Sequence, residues 1–505
     1  MKEKLLKATG YVLMLVILTL PFTIIPERFA IPLLGRNLPN AFLIIGIVFW
    51  AIYILIRRNV DFPHKKYIVL FLVWFSACLF IGALNYPFYD SDFFSYMRTE
   101  GIYGKLVRIK PDIFDSTILM ELKYACSLFV RMIRGFFIPL IGLWLIVINL
   151  YKKNWKIGMH QISLAALDLA IVMIIYSIPE IIWLWTGDKT CAEILSAINP
   201  FFYDPVSVNE WWPPLLWKNQ LRSITMEPSF FGIFASFIIP LLWHCIFVEK
   251  KSWCYGVLVI FVFMLFASKA RTGIAVYLGE VAVLLILSLA LRNKKYIKIG
   301  AKILLSGIIS YALFIGGSTY VPSMVHGGIN TSIDEAADLY IEENVMSVVG
   351  DKRSNSARNG LTVAMIRVGL DHPVFGVGYN YQHMYIKDRF PDFAKDNHEV
   401  QNWTEDMLKK GFLKSGYPIL NEYAYVFAIS GVFGLILFIS PIAYLGIKLL
   451  RKRQLLHNPG IFVLTVAACG QLADLLSNAF FFTYPITLSF LYLAVKSEDE
   501  KEIIE

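Results

Sequence analysis

Charged residues are scarce in this chain. They make up 17% of its 505 residues, whereas 57% are hydrophobic. Soluble domains average about 25% charged and roughly 45–50% apolar residues, so this composition excludes a soluble globular protein and indicates an integral membrane protein. The net charge of +9 does not indicate nucleic-acid binding, because the Lys and Arg residues lie in short loops between apolar runs, where they set membrane topology.

Several motifs of catalysis and metal binding are missing as well. The six cysteines are scattered and form no C-x-x-C pair, which excludes a disulfide framework and a cysteine metal site. No Walker motif, H-E-x-x-H motif or nucleophile elbow occurs in the sequence. We therefore expect no metal, no cofactor and no coupling to ATP within this chain.

Long apolar runs dominate what is present. A transmembrane helix needs about 20 mainly apolar residues, and about twelve runs approach this length. The predicted fold class is therefore all-α: a polytopic integral membrane protein with about twelve transmembrane helices. The runs lie near 9–26, 41–56, 67–84, 127–150, 162–185, 229–248, 253–269, 273–291, 299–317, 424–449, 460–481 and 484–496.

The charges in the loops predict the orientation. Alternating loops contain basic clusters, which the positive-inside rule assigns to the cytoplasm. The lysines near the N-terminus agree with this, and an even number of spans returns the C-terminus to the same side. Both termini are therefore predicted to be cytoplasmic. The basic clusters are Arg57 with Arg58, Lys65 with Lys66, Lys152 with Lys153, Lys250 with Lys251, Lys294 with Lys295, and Arg451 to Arg453.

Three polar segments remain on the opposite, extracytoplasmic side. Residues 1–317 are predicted to form an N-terminal bundle of about nine spans, with external loops at 85–126 and 186–228. Residues 318–423 form a large extracytoplasmic loop before the tenth span, and 424–505 form the C-terminal spans and a short cytoplasmic tail. Loops longer than about 12–15 residues are usually functional or disordered, so the polar chemistry is expected on this side.

The large loop contains a predicted helix. Apolar positions from 357 to 370 follow a helical period and a turn ends the segment, which is expected to lie on or near the membrane surface. Arg358 and Arg367 should point to opposite faces of this helix. Arg358, in the predicted first turn, is the better candidate for binding an anion, because the helix dipole is positive there.

An anion site is predicted where two spans begin on the extracytoplasmic side. Arg222 precedes one span and Arg271 the other, and a fixed charge beside a hydrophobic run is costly and usually functional. Pro228 suits a first helical turn, with Glu227 at the cap position. Helix N-termini favour negative charge, and arginine binds phosphate through a bidentate fork. The alternative is that both arginines only anchor helix ends at the membrane interface.

Other charged residues have open or structural roles. Arg131 and Arg134 share a helix face, and they either extend the phosphate site or pair with acids of the bundle. Among the histidines, His398 is the best candidate for a general base, because its neighbours are acidic. The acids predicted to be structural charges of the bundle are Asp168, Glu280 and Asp474.

Four short patches follow one another along the chain. Their order and predicted sidedness resemble the superfamily of O-antigen polymerases and O-antigen ligases. The resemblance covers most of the chain as topology, and as sequence it is confined to these patches. They are Arg222 with Glu227 to Ser229 and Gly232; Ser268 to Gly273; Arg358 with His372 to Gly378; and Asn421 to Tyr423 with Ser430 to Leu435.

The resemblance implies a metal-independent, inverting glycosyltransferase. Such an enzyme uses undecaprenyl-diphosphate-linked glycans outside the cytoplasmic membrane of a bacterium. Arginines matching Arg222 and Arg271, with Arg358 as a third ligand, would bind the donor's diphosphate and stabilise the charge that develops on the leaving group. A base would deprotonate the acceptor hydroxyl as it attacks the anomeric carbon.

The catalytic base is where the chain departs from the family pattern. Ligases of the family have a His immediately before the Asn of the last patch, whereas here Leu420 precedes Asn421. Glu227 is the preferred base because it follows the first arginine patch, and its alternative role is only to cap the span and pair with that arginine. The missing His also favours a polymerase over a ligase. The candidates for the base are Glu227, Glu422 and His398.

We therefore predict a polymerase of lipid-linked oligosaccharide repeat units that makes a surface polysaccharide. Its partners would be the lipid-linked donor and acceptor, the bilayer, a flippase and a chain-length regulator. The alternatives are a ligase that transfers glycan to a lipid, polymer or protein, and a transporter or flippase. A flippase should bury charges along a central path, often with repeated halves, whereas this chain has no internal repeat and concentrates arginines at the outer boundary.

Overall fold

The described part of the molecule is helical. The computed structural model describes residues 2–31, 35–57, 62–89, 101–204, 220–326, 332–344, 353–411 and 415–504. Among these residues the only β-structure is an isolated bridge between Ile31 and Gly35. The all-α fold class is therefore confirmed for this part of the chain. Parts of the predicted external loops 85–126 and 186–228 lie outside the described residues.

The main helices follow one another with short connections. Each of the predicted apolar runs falls on one of them. They are α1 (Lys2–Leu18), α2 (Leu38–Arg57), α3 (Lys65–Leu84), α4 (Gly101–Ile109), α5 (Thr117–Tyr151, with a π-helical stretch at Ile133–Gly142), α6 (Trp155–Thr186), α7 (Lys189–Ile198), α8 (Pro228–Phe247), α9 (Cys254–Ser268), α10 (Arg271–Ala290), α11 (Lys294–His326), α12 (Ile333–Asn344), α13 (Arg353–Asp371), α14 (Gln382–Lys387), α15 (His398–Lys410), α16 (Glu422–Arg451), α17 (Pro459–Asp474) and α18 (Thr483–Ile504).

Within the described residues, 8 helices are long and apolar enough to cross a membrane. They are α2, α3, α5, α6, α8, α10, α11 and α16, and α9 and α17 are shorter apolar helices. Helices suit a bilayer because they satisfy their backbone N–H and C=O groups within the segment. The chain is therefore a polytopic membrane protein, and the larger number of spans and their orientation stay predictions.

Helix α8 lies at the centre of the bundle. Its apolar residues surround the helix on all sides, a pattern typical of a buried helix. Phe231, Phe234 and Phe237 are each at most 1% exposed. Helices α6, α9, α10 and α17 pack around α8, so the helix that follows Glu227 is held rigidly on several sides.

Helices α8 and α10 approach closely through a pair of glycines. A Cβ atom added to Gly273 would lie 2.5 Å from the Cα atom of Gly232, so the approach requires glycine. Glu227 immediately precedes α8, and Arg271 is the first residue of α10. The glycine contact therefore places both charged residues at the end of the bundle where α8, α10 and α16 begin, which we term the loop end.

The predicted helix at 357–370 is present as α13, and it begins earlier, at Arg353. Its apolar face is at most 1% exposed and α13 packs against α16, so this face contacts protein. Ser354 and Ser356, which were expected to cap the helix, lie inside it because helical structure already begins at Arg353. The buried residues of the face are Ala357, Leu361, Ala364, Met365 and Val368.

Candidate functional site

Four charged side chains come together at the loop end of the bundle. Arg271 begins α10, Arg358 lies in α13, Glu227 precedes α8, and Glu399 lies in the first turn of α15. Arg358 interacts electrostatically with each of the other three. We term these four residues the arginine–glutamate cluster, and they define the candidate site.

Arg358 connects the members of the cluster. Its Nη1 atom donates a hydrogen bond of 3.3 Å to the backbone carbonyl of Ser477. Burial lowers the pKa of the Arg358 guanidinium and the positive charge of Arg271 lowers it further, while Glu399 and Glu227 act in the opposite direction. Two like charges are thus held near each other in a poorly solvated place, an arrangement that suits an anionic ligand.

The position of Arg358 in its helix differs from the prediction. Because α13 begins at Arg353, Arg358 lies in the second turn, where the helix dipole acts more weakly than in the first. Arg367 donates a hydrogen bond of 3.0 Å to the carbonyl of Arg389, on an exposed part of the molecule. The two arginines therefore contact different regions, as their spacing predicted.

Glu227 occupies the N-cap position of α8, as predicted, but its side chain makes no cap hydrogen bond. Instead, the Ser229 hydroxyl donates a hydrogen bond of 3.2 Å to Glu227 Oε2. Burial raises the pKa of the Glu227 carboxyl, while the Ser229 hydrogen bond and the charge of Arg358 partly oppose this shift. A carboxylate with a raised pKa is a stronger proton acceptor, which is the property required of a general base.

Glu399 is the member of the cluster that sequence reasoning missed. It interacts electrostatically with both Arg271 and Arg358. In the sequence it is one acid among several in a polar helix, where a charged residue is usually solvated. The signal that could have drawn attention to it is its position beside His398, which was selected as a candidate base.

Arg222 has a different environment from the one predicted. It is 4% exposed, and its guanidinium donates hydrogen bonds to the carbonyl of Thr225 at 2.7 Å and to Tyr176 and Asn199 at 3.0 Å each. Its backbone N–H donates to Glu180 at 2.9 Å. The guanidinium is thus used by the protein itself, and it holds the turn before α8 against α6. These contacts with distant residues are what the local pattern around Arg222 did not contain.

Glu422 is enclosed at the start of α16. Its side chain is 0% exposed, and Oε2 accepts a hydrogen bond of 3.1 Å from the backbone N–H of Phe480. Its own N–H donates to the carbonyl of Leu475 at 2.9 Å. Glu422 therefore ties α16 to the turn after α17, which ends at Asp474, before the end of the predicted run 460–481.

His398 is the first residue of α15, and its ring is exposed. Its Nδ1 atom is 3.0 Å from the side-chain amide nitrogen of Asn402, one turn further along the helix. His398 therefore adjoins the cluster through its neighbour Glu399, whereas the structure brings Glu399 itself to the arginines.

The other acids of the bundle lie in different surroundings. Glu280 and Asp474 are 1% and 4% exposed and interact electrostatically with each other. Asp474 also accepts a hydrogen bond of 2.8 Å from Asn478. Asp168 is exposed, so the prediction that it is a charge inside the bundle is wrong: its side of α6 is not covered by another helix.

Comparison with protein-family models, curated proteins and solved structures finds no match for this chain. Within the described residues, no group of three or more His, Cys, Asp or Glu side chains is arranged to hold a metal ion. The chemical argument about function therefore depends on the arginine–glutamate cluster and its position at the end of a membrane bundle.

Proposed function

We propose that this protein is a membrane glycosyltransferase that polymerises undecaprenyl-diphosphate-linked oligosaccharide repeat units. The observation behind this proposal is the proximity of Arg271 and Arg358, beside two glutamates, at one end of a membrane bundle. The resemblance of four sequence patches to O-antigen polymerases and ligases supports it. A lipid-linked diphosphate fits both features, because its tail dissolves in the bilayer and its phosphates are bound by fixed cations.

In this proposal the two arginines stabilise the leaving group. The acceptor's hydroxyl oxygen bonds to the anomeric carbon of the donor, and the bond from that carbon to the phosphate oxygen breaks. The electron pair of the broken bond goes to the diphosphate, whose growing negative charge is stabilised by Arg271 and Arg358. Attack from the face opposite the leaving group inverts the anomeric configuration, without a metal ion.

Glu227 is the proposed base. It takes the proton that the acceptor hydroxyl loses as the new glycosidic bond forms. Its partial burial and its interaction with Arg358 support this role. Glu422 is less suitable because one of its oxygens is bonded to the backbone of Phe480. His398 is less suitable because its ring is exposed.

Arg222 has a supporting role in this proposal. Its guanidinium has hydrogen-bond partners in Tyr176, Asn199 and Thr225, all from the protein. Removing it from those partners to bind a phosphate would leave their polar groups buried without compensation. We therefore assign the diphosphate to Arg271 and Arg358, and assign to Arg222 the positioning of the turn that leads to Glu227.

The proposed location follows from the loop charges. The loop end would face the extracytoplasmic side of the bacterial cytoplasmic membrane, with both termini in the cytoplasm and about twelve spans between them. The donor would enter sideways from the bilayer, and the growing glycan would remain outside. A flippase that supplies the repeat units and a chain-length regulator are the proposed protein partners.

The test uses purified full-length protein with a synthetic polyprenyl-diphosphate oligosaccharide. Growth of the glycan chain without nucleotide or added metal supports a polymerase. Transfer only to a different lipid, polymer or protein acceptor would identify a ligase. Movement of the substrate across a vesicle membrane with no new glycosidic bond would refute the enzyme and identify a transporter.

A further inference from the structure

Glu399 is held in a defined position beside both arginines. Helix α15 begins at His398, and the side chain of Asn397 accepts a hydrogen bond of 2.9 Å from the N–H group of Glu399. This cap fixes the backbone of the first turn. Helix α15 also packs against α13, the helix that contains Arg358. The large loop thus delivers a carboxylate to the two arginines, one of which belongs to a membrane helix.

The charges of the cluster indicate what this carboxylate does. Arg271 and Arg358 contribute two positive charges in a place that water reaches poorly. Burial raises the pKa of Glu227, so Glu227 is the carboxyl that protonates more readily. Glu399 then supplies negative charge to both arginines while no ligand is bound, and a diphosphate would need the same positive charges.

We propose that Glu399 competes with the donor's diphosphate for Arg271 and Arg358, and thereby limits how tightly the site holds anions. This inference rests on the proposed function, because it names the regulation of the same site. A polymerase must release a lipid diphosphate after every transfer. Binding that is equally tight for substrate, transition state and product does not increase turnover, so a carboxylate that returns to the arginines assists product release.

The test is the affinity of purified full-length protein for farnesyl diphosphate, a short polyprenyl diphosphate. Glu399→Gln removes the charge with little change of shape. It should tighten binding roughly three- to tenfold at low ionic strength, because a like charge several ångströms from the ligand is removed. Glu399→Ala should change the affinity in the same direction, and Glu399→Asp, which keeps the charge, should bind nearly as the unmodified protein does.

A matched control lies on the same helix. Glu405 is exposed and pairs with Lys409 at 3.1 Å, so Glu405→Gln removes the same charge away from the cluster and should leave the affinity unchanged. High salt should reduce the difference between Glu399→Gln and the unmodified protein, since mobile ions screen the repulsion.

The outcomes separate this inference from the function beneath it. If Glu399→Gln and Glu399→Ala bind farnesyl diphosphate equally or more weakly while Arg271→Ala and Arg358→Ala lose binding, competition is refuted and the diphosphate site stands. If the unmodified protein and both arginine variants bind it with the same affinity, the diphosphate site is refuted, and the proposed function is refuted with it.

Discussion

Arg271 and Arg358 lie close enough for the charge of one to act on the other. One begins a membrane helix, and the other belongs to the helix of the large loop that packs against α16. Arg358 is also tied to the turn after α17 by its hydrogen bond to the carbonyl of Ser477. The pair therefore exists only when the large loop is packed on the membrane bundle, so folding of the loop and formation of the site are one event.

Replacing either arginine of the pair should remove turnover without unfolding the protein. Arg271→Ala or Arg358→Ala takes away a donor to the leaving group, and loss of one such group typically costs about 10²–10³-fold in rate. Lysine should restore little of the rate, because it lacks the bidentate fork. The measurement is chain growth on the lipid-linked substrate, with the elution profile in detergent as a check on folding.

The control for the arginine variants lies on the same helix as Arg358. Arg367 is exposed and bonds to the carbonyl of Arg389, so Arg367→Ala should retain nearly full activity. Equal losses in Arg358→Ala and Arg367→Ala would mean that the large loop needs positive charge in general, and would contradict a site at Arg358.

Arg222→Ala should act on stability first. The substitution leaves the buried groups of Tyr176, Asn199 and Thr225 without their charged donor, and hydrogen bonds to charged groups are worth about 1.5–3 kcal/mol each. We expect a lower thermal unfolding temperature in detergent and a lower yield of monodisperse protein. A variant that keeps full stability but binds farnesyl diphosphate poorly would return Arg222 to the ligand site.

Glu227 should determine the acid side of the pH profile. Burial raises the pKa of its carboxyl, so it is still protonated at pH values where a free glutamate, with a pKa of about 4.3, is ionised. A protonated carboxyl cannot accept the hydroxyl proton, and kcat/KM should therefore rise with pH through a value above that of free glutamate. The measurement is kcat/KM as a function of pH.

Glu227→Gln provides the complementary experiment. It should abolish chain growth and retain binding of farnesyl diphosphate, because the amide keeps the shape of the side chain and cannot accept the proton. Residual activity in Glu227→Gln with an unchanged acid limb would assign the base to another residue.

The glycine contact between α8 and α10 should control the position of Arg271. In Gly273→Ala the new Cβ atom would meet the backbone of Gly232 at 2.5 Å, and the two helices would have to separate. We expect a lower unfolding temperature and a loss of activity, since crowding in a packed core typically costs about 1–3 kcal/mol. Gly279→Ala is the control on the same helix, because a Cβ atom there meets nothing within 4 Å. Equal behaviour of the two variants would contradict the positioning role.

Local sequence was sufficient to locate the helices. Each predicted run falls on a helix because an apolar segment satisfies its backbone hydrogen bonds within itself, a requirement that concerns only neighbouring residues. The same reasoning predicted α13 and the opposite directions of Arg358 and Arg367, which depend on helical period alone. It was less accurate at the ends of helices, such as the early start at Arg353 and the early end at Asp474.

The composition of the site depended on contacts between distant segments. The pattern around Arg222 fitted a phosphate ligand and an anchor equally well, and the packing of α6 against the turn before α8 gave its guanidinium partners within the protein. Likewise, Glu399 resembled a solvated surface charge until α15 was packed near the first residue of α10. By itself the sequence determined a helical membrane protein with a polar, arginine-containing end. Only the tertiary structure decided which charges meet there, because electrostatic interactions depend on distance in space and not on separation along the chain.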